Sequence, residues 1–279
     1  MITQMALDPF RGKKEEGKLA QQIASIEFQK DPLVDAVLQE YAIYIEKCKN
    51  FPGSPRERHE AIRYHLETSN LTLLTPAQIT NAAYLISQLE ANLKHYAGFF
   101  ISRTIQQSYK AGYNEFTLIL NDEPIRFLTS YLQGQPEKKI AITIHGNVRD
   151  RVGHYSQYID VTICGDAGHF LGDYSKDSLF HLHGSAPGFV GSDSQSSIFK
   201  VKGSSGDLIA SGAKNSKFYL HGYVLSFDWQ NPPTNCALFF ENKEAYERTG
   251  MYLFEKQNNR ERKMLEHIKV IFVDTGGRA

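Results

Sequence analysis

The most regular pattern of apolar and polar positions lies in the second half of the chain. Between about residues 140 and 229, short stretches of alternating apolar and polar residues recur every 19 residues, and each stretch ends in a glycine. The apolar residues stand four and two positions before that glycine, as Ile142 and Ile144 do before Gly146. Because side chains alternate between the two faces of a strand, one face of each stretch is expected to be buried. A fixed period of this length predicts stacked structural units that bury those faces against one another.

Two series of glycines keep the same period. The first series is Gly146, Gly165, Gly184, Gly203 and Gly222, and the second is Gly153, Gly172 and Gly191, after which the position is taken by Ala210. Glycine permits positive φ and close backbone approach, so both series are expected at the corners of the stacked units. Equivalent strands stacked in parallel at about 4.8 Å per unit predict a β-solenoid of about four coils and the start of a fifth.

The repeats also resemble those of a known family. Residues 163–172 (ICGDAGHFLG) and 201–206 (VKGSSG) are similar to the GXGXG repeats of the C-terminal domain of the glutamate synthase large subunit and of a formylmethanofuran dehydrogenase subunit. The resemblance covers about a third of the chain. It implies a right-handed parallel β-helix that is structural and carries no catalytic residue of its own. The N-terminal part does not resemble the synthase's amidotransferase, and no flavin or iron–sulfur signature is present.

The first 112 residues favour helices instead. A helix is predicted at residues 16–29, and a second one begins at Asp31, followed by proline at its first position. Ser54 and Thr75 each begin a capping box that is again followed by proline, and the second box opens the longest helical stretch, to about Tyr109 with a break near Gly98. The chain is therefore predicted to be α+β, with an α-helical domain at residues 1–112 and the repeat domain at residues 113–279.

Short elements are predicted on both sides of the repeats. Before them the pattern indicates a strand at 113–120, a helix at 124–132 and a run from residue 138 into the first coil. After them it indicates strands at 236–240, 251–254 and 270–273 and a charged helix at 256–267. Both groups are expected to cap the solenoid, since an exposed last strand would pair with another chain.

Composition narrows the classes of function. The chain has 31 basic and 31 acidic residues, so its formal net charge is zero, which argues against a dominant attraction to nucleic acid or to an anionic membrane. No apolar run is long enough to span a bilayer, and the N-terminus lacks the pattern of a signal peptide. Three cysteines, far apart in sequence and in no CxxC pair, predict a reduced, cytoplasmic protein. No cofactor is expected.

One column of side chains offers possible metal ligands. The residues directly before the first glycine series are His145, Cys164, His183, Lys202 and His221, which would stack at about 5 Å per step. His145, Cys164 and His183 are the candidate ligands, since imidazole and thiolate suit a metal such as zinc. No acidic fourth ligand is in register, and the alternative is an outward column that merely tolerates polar groups.

Polar and aromatic residues in the turns offer other candidates. The polar ones are His154, His169, Asp160, Asp166, Asp173 and Asp177. Carboxylates on successive coils of a β-helix can cleave polysaccharides as acid and base, but aspartate also favours turns for backbone reasons. The aromatic ones, which could stack on sugars or bases, are Tyr155, Tyr158, Phe170, Phe189, Phe227 and Trp229. Three of these phenylalanines share one repeat register, which is typical of packing.

The sequence thus predicts a non-catalytic structural or protein-interaction protein. Its regular faces suit a protein partner or a second copy of the chain, and the partner is not identified by the sequence. Two alternatives stay open. One is a non-catalytic subunit of an oxidoreductase assembly, as the resemblance implies, and the other is a carbohydrate-acting β-helix enzyme. The enzyme requires a cluster of carboxylates or basic groups on one face of the repeats.

Overall fold

The structure is a computed structural model, and it describes residues 31–49, 51, 54–121, 124–228, 230–255 and 268–273. The predicted helices at 16–29 and 256–267 lie outside these residues. The described residues form five α-helices and one eight-stranded sheet, which is the mixed α+β composition that the sequence predicts. None of the described helices has the length and apolar character needed to cross a membrane.

Four helices precede the sheet. They are α1 (Pro32–Lys49), α2 (Pro55–Thr68), α3 (Pro76–Ser87) and α4 (Ala97–Lys110), with a 3-10 turn at Ala91–Leu93 between the last two. Asp31 caps α1, and the predicted capping boxes of Ser54 and Thr75 begin α2 and α3. The predicted long helix is divided before Gly98, where a Cβ atom would lie only 2.0 Å from the Arg126 carbonyl oxygen. Glycine at this position lets α4 pack directly on the backbone of the repeats.

The sheet is entirely parallel, and its strand order follows the chain. Its strands are β1 (Glu115–Ile119), β2 (Ile140–His145), β3 (Ile159–Ile163), β4 (Leu179–Leu182), β5 (Ile198–Val201), β6 (Lys217–Leu220), β7 (Cys236–Phe240) and β8 (Ile268–Phe272). From β2 to β6, paired residues are 19 positions apart, as Val161 and Phe180 are. Residues in the turns form parallel bridges at the same interval, for example between Lys176 and Gln195. This stacking is compatible with a parallel β-solenoid.

Aromatic residues form the centre of the core. Phe180, Phe199 and Phe218 occupy one register, are at most 1% exposed and stack with ring centroids 5.0 to 5.1 Å apart. Each such side chain contributes about 1.5–3 kcal/mol through burial of apolar surface. The apolar cluster continues from the repeats into the helices without interruption. The chain changes from helices to strands between Lys110 and Glu115, and the division into two domains stays a prediction.

Residues 124–132 do not form the predicted helix. Phe127, Thr129 and Tyr131 have φ between +57° and +59°, which a right-handed helix does not allow. The carbonyl of Leu128 accepts a hydrogen bond from the N–H of Gly153, just as Val152 does from Gly172 in the next repeat. This segment is therefore a divergent first copy of the repeat. Its longer spacing from the second copy hid it from a search for a fixed period.

Helix α4 covers the first repeat in place of the predicted capping helix. The Ser102 hydroxyl accepts the N–H of Ser130 at 3.1 Å. The Gln106 side chain accepts the N–H of Gln133 at 2.7 Å and donates to its carbonyl at 3.1 Å. These bonds satisfy backbone groups that would otherwise stand at the open end of the stack.

The far end also differs from the prediction. Residues 251–254, predicted as a strand, belong to helix α5 (Lys243–Glu255), which is inserted between β7 and β8. The Asn242 side chain caps this helix by accepting the N–H of Ala245. Tyr246 contacts the rings of Phe240 and Phe272, so the helix packs on the last two strands. The predicted strands at 236–240 and 270–273 correspond to β7 and, with shifted ends, to β8.

The two glycine series have different physical reasons. At Gly184 a Cβ atom would lie 2.5 Å from the carbonyl oxygen of Gly165, so the first series allows successive repeats to approach closely. At Gly172 the φ angle is +67°, and a Cβ atom would lie 2.5 Å from Cε1 of Phe199. The second series therefore makes room for the phenylalanine stack and also provides a left-handed turn.

Candidate functional site

The turn after each corner places a recurring set of side chains. Arg151, Gly153 and Tyr155 are left-handed, and so are the equivalent residues of the next repeat, with buried residues between them. His154 is one of these buried residues, and the residues in its register in successive repeats are Asp173, Ser192 and Ser211. Stacking in register therefore places a histidine directly beside an aspartate.

His154 and Asp173 form a buried acid–base pair. Asp173 is 1% exposed and His154 is 7% exposed. Imidazole Nδ1 lies 2.8 Å from Oδ1 of Asp173, while Oδ2 accepts from Arg151 Nη1 at 2.8 Å. The first contact is close but poorly aligned as a hydrogen bond, so we describe it as an ionic contact. A carboxylate in this position orients the imidazole and stabilises its protonated form.

Three tyrosines in one register form a ladder beside this pair. The rings of Tyr131 and Tyr155 are 5.7 Å apart and inclined by 4°, and those of Tyr155 and Tyr174 are 4.5 Å apart and inclined by 7°. The guanidinium of Arg63 lies 5.2 Å from the Tyr131 ring. Each tyrosine is left-handed, at a cost of about 1–2 kcal/mol. The ladder thus combines large aromatic side chains with a backbone conformation that favours glycine.

A cleft of about 710 Å³ lies between helix α2 and the repeats, and it brings these groups together. Helix α2 contributes His59, Glu60 and Arg63, and the repeats contribute the histidine–aspartate pair, Arg151, the ladder and Asp193. Burial, followed by the charge of Asp193, raises the pKa of the Tyr174 phenol. Burial also raises the pKa of Tyr131, and Arg63 partly opposes this shift. Both phenols therefore remain protonated and able to donate at neutral pH.

The other polar residues predicted in the turns have separate structural roles. Asp166 accepts the backbone N–H of Ser185 at 2.7 Å, which ties two repeats together. Asp160 pairs with Lys139 at 3.1 Å. Asp177 is a left-handed turn residue, and His169 is exposed. Of the six polar candidates, His154 and Asp173 are the two that line the cleft.

The aromatic candidates are divided in the same way. Phe170 and Phe189 stack at 4.4 Å at a corner, with the Arg151 guanidinium 4.5 Å from the Phe170 ring. Phe227, in the same register, is buried. This column is packing, as its shared register indicates. Tyr155 belongs to the ladder, Tyr158 is a left-handed residue in the next turn, and Trp229 lies outside the described residues.

The structure also locates the candidate metal column. His145 is buried, and burial lowers its pKa. Burial raises the pKa of the Cys164 thiol, which disfavours the thiolate that a metal requires. His183 is exposed, with its ring 4.6 Å from that of His181. Across the described ranges, no three His, Cys, Asp or Glu side chains are grouped so that they could hold a metal ion.

Sequence reasoning did not identify most of the cleft. Arg151, Tyr131, Tyr174 and the residues of α2 were not candidates. One available signal was the register itself, since His154 and Asp173 are 19 residues apart and so are Tyr155 and Tyr174. The contribution of α2 has no such signal, because it depends on how the helices pack on the repeats.

Comparison with known proteins adds no relative. No protein-family model matches the chain, and searches of curated proteins and of solved structures give no significant match.

Proposed function

We propose that this protein is a carbohydrate-acting enzyme whose site is the cleft between α2 and the repeats. The observation that carries the proposal is the buried carboxylate of Asp173, which lies 2.8 Å from both Arg151 and His154 at this cleft. A buried ionic group is costly to stability unless it is fully paired. Its position beside a cleft favours a chemical role over a purely structural one.

The lining of the cleft suits a ligand with many hydroxyl groups. Tyrosine phenols and guanidinium groups donate hydrogen bonds, while Glu60 and Asp193 accept them. Because the rings of the ladder stack on one another, they present hydroxyls and ring edges to the cleft rather than broad faces. A sugar satisfies both donors and acceptors and contacts aromatic edges through its C–H groups. Of the three functions that the sequence leaves open, this geometry favours carbohydrate cleavage.

The proposed roles follow from the contacts. His154, oriented by Asp173, accepts a proton, and the Tyr174 phenol donates one to the oxygen that leaves. In hydrolysis the accepted proton comes from the attacking water. In elimination it comes from the carbon next to a sugar carboxylate, and a carbon–carbon double bond forms as the C–O bond breaks. Both reactions create a new chain end, and only elimination creates the double bond.

The test is to incubate the full chain with a panel of soluble neutral and acidic polysaccharides. New reducing ends report cleavage, and ultraviolet absorbance of the double bond separates elimination from hydrolysis. We expect His154→Gln to abolish product formation and His169→Gln, which changes the exposed histidine of another turn, to leave it intact. Cleavage that persists in His154→Gln would contradict the proposal, and so would the failure of every polysaccharide to bind or react.

The finer architecture belongs to the same proposal. We propose that the stack is a right-handed, GXGXG-like β-solenoid, which is supported by the 19-residue register of β2 to β6 and by the bridges in the turns. A reducing compartment such as the cytoplasm is supported by the free thiols of Cys48, Cys164 and Cys236. The non-catalytic interaction role, the protein partner, a homo-oligomer and the oxidoreductase assembly stay predictions. Mass measurement of the purified chain and of its complexes tests them.

A further inference from the structure

A second surface of the repeats carries a concentration of positive charge. We name as the basic face six residues at outward positions of β4, β5 and β6 and directly after them: His181, His183, Lys200, Lys202, Lys217 and His221. We propose that this face binds a linear acidic polysaccharide, one that bears carboxylate or sulfate groups along its length. The proposal goes beyond the activity assigned to the cleft and does not depend on the chemistry of His154.

The register of the strands brings these cations together. His181 is paired with Lys200 on the next strand, and Lys217 lies on the strand after that. His183 and Lys202 follow the ends of neighbouring strands. Adjacent strands are about 4.8 Å apart, so the basic groups form a two-dimensional array rather than a single row. All six residues except the half-buried His181 are exposed.

This array is not neutralised by the protein itself. None of the outward positions of β4 to β6 holds an aspartate or a glutamate. Within the part of the chain that the structure describes, no carboxylate forms an ion pair with Lys200, Lys202 or Lys217. Since the net charge of the chain is zero, the positive charge is a local feature of this face. A polyanion lying on it would gain several favourable charge contacts at once.

The two histidines report the same local potential. Burial, followed by the charge of Lys202, lowers the pKa of both His181 and His183. These cationic groups are therefore close enough to repel one another. An anionic ligand would relieve that repulsion, and its binding would weaken as salt screens the charges.

The aromatic residues of the face favour a polysaccharide over a nucleic acid. Tyr219 is the one tyrosine, phenylalanine or tryptophan at the outward positions of β4 to β6, and its ring is stacked on Phe239 at 4.7 Å. On its other side in register lies Lys200. Proteins that bind single strands offer open aromatic rings to the bases, and readers of duplexes insert a helix or ribbon into a groove. The described strands present cations on a sheet face and no such ring.

The experiment measures binding of heparin, which is sulfated, and polygalacturonate, which is carboxylated, to the full chain by fluorescence anisotropy at two salt concentrations. Dextran serves as the neutral polysaccharide and a thymidine oligonucleotide as the nucleic acid. The test variant is Lys200→Glu/Lys202→Glu. The matched control is Lys47→Glu/Lys243→Glu, which reverses two exposed charges on helices α1 and α5. Thermal unfolding verifies that both variants are folded.

We expect one or both acidic polysaccharides to bind, with affinity falling about tenfold in the test variant and as salt rises, and with little change in the control. His154→Gln should bind as the unaltered chain does, which separates this proposal from the cleft activity. Three results would overturn it: no binding of either acidic polysaccharide at low salt, equal loss in the test and control variants, or tighter binding of the oligonucleotide than of both polysaccharides.

Discussion

Gly172 lies against the ring of Phe199, and a Cβ atom on the glycine would come within 2.5 Å of Cε1. The φ angle of +67° adds backbone strain to this clash for any other residue. We therefore expect Gly172→Ala to lower the free energy of unfolding by about 2–4 kcal/mol, from a left-handed alanine and an overpacked core. Urea unfolding followed by circular dichroism measures it.

The chain contains its own control for this substitution. In the last repeat the equivalent position is Ala210, with φ of +59°, and the strand residue that corresponds to Phe199 two repeats on is Leu238. A smaller facing side chain leaves room for the methyl group. Ala210→Gly should therefore change stability by less than about 1 kcal/mol. Equal effects of the two changes would show that the phenylalanine stack does not set the glycine pattern.

The buried carboxylate of Asp173 should matter for stability as well as for activity. Asp173→Asn leaves the guanidinium of Arg151 without its anionic partner, and this side chain is only one-third exposed. We expect a loss of about 2–3 kcal/mol, below the cost for a fully buried pair because water reaches Arg151. Asp193→Asn makes the same change in the next repeat at a more exposed carboxylate and should cost less than about 1 kcal/mol. A comparable loss in both variants would contradict the special role of Asp173.

The tyrosine ladder separates stability from ligand binding. Tyr155 stacks on a tyrosine at each face, so Tyr155→Ala should destabilise the fold by about 1 kcal/mol for each stacking contact. Tyr155→Phe keeps both stacks and removes only the hydroxyl. We expect Tyr155→Phe to unfold like the unaltered chain and to bind oligosaccharide more weakly in calorimetry. Unchanged affinity in Tyr155→Phe would mean that the phenol does not contact the ligand.

Stability should fall on acidification because of buried histidine. Burial lowers the pKa of His145 below its ordinary value of 6.5. The unfolded chain then binds the proton more readily than the folded one, so the contribution of this group is constant above the ordinary pKa and becomes destabilising as pH falls below it. Urea unfolding at pH 7.5, 6.5 and 5.5 should show this decline, and His145→Gln should reduce it. The exposed His169→Gln is the control, and an unchanged pH slope in His145→Gln would refute the prediction.

The strands were predictable where repeat and sequence period coincide. Residues such as Val161 and Phe180 alternate with polar neighbours at a constant 19-residue interval, and this arithmetic holds from β2 to β6. It failed for Phe127 and Tyr131, because the first copy of the repeat is separated from the second by an extra loop. It failed again in α5, which is inserted between two paired strands. Insertions leave the stacking intact while removing the period by which it is recognised.

The candidate site was only partly within reach of the sequence. The register of His154 and Asp173 follows from the repeat, because parallel strands place equivalent residues side by side. The sequence by itself thus determined the stacked strands, the buried columns and the adjacency of that pair. Only the tertiary structure decided that α2 lies across the turns and places Arg63 on Tyr131. That docking depends on shape and on contacts between segments distant in the chain, and neither periodicity nor capping signals encode it.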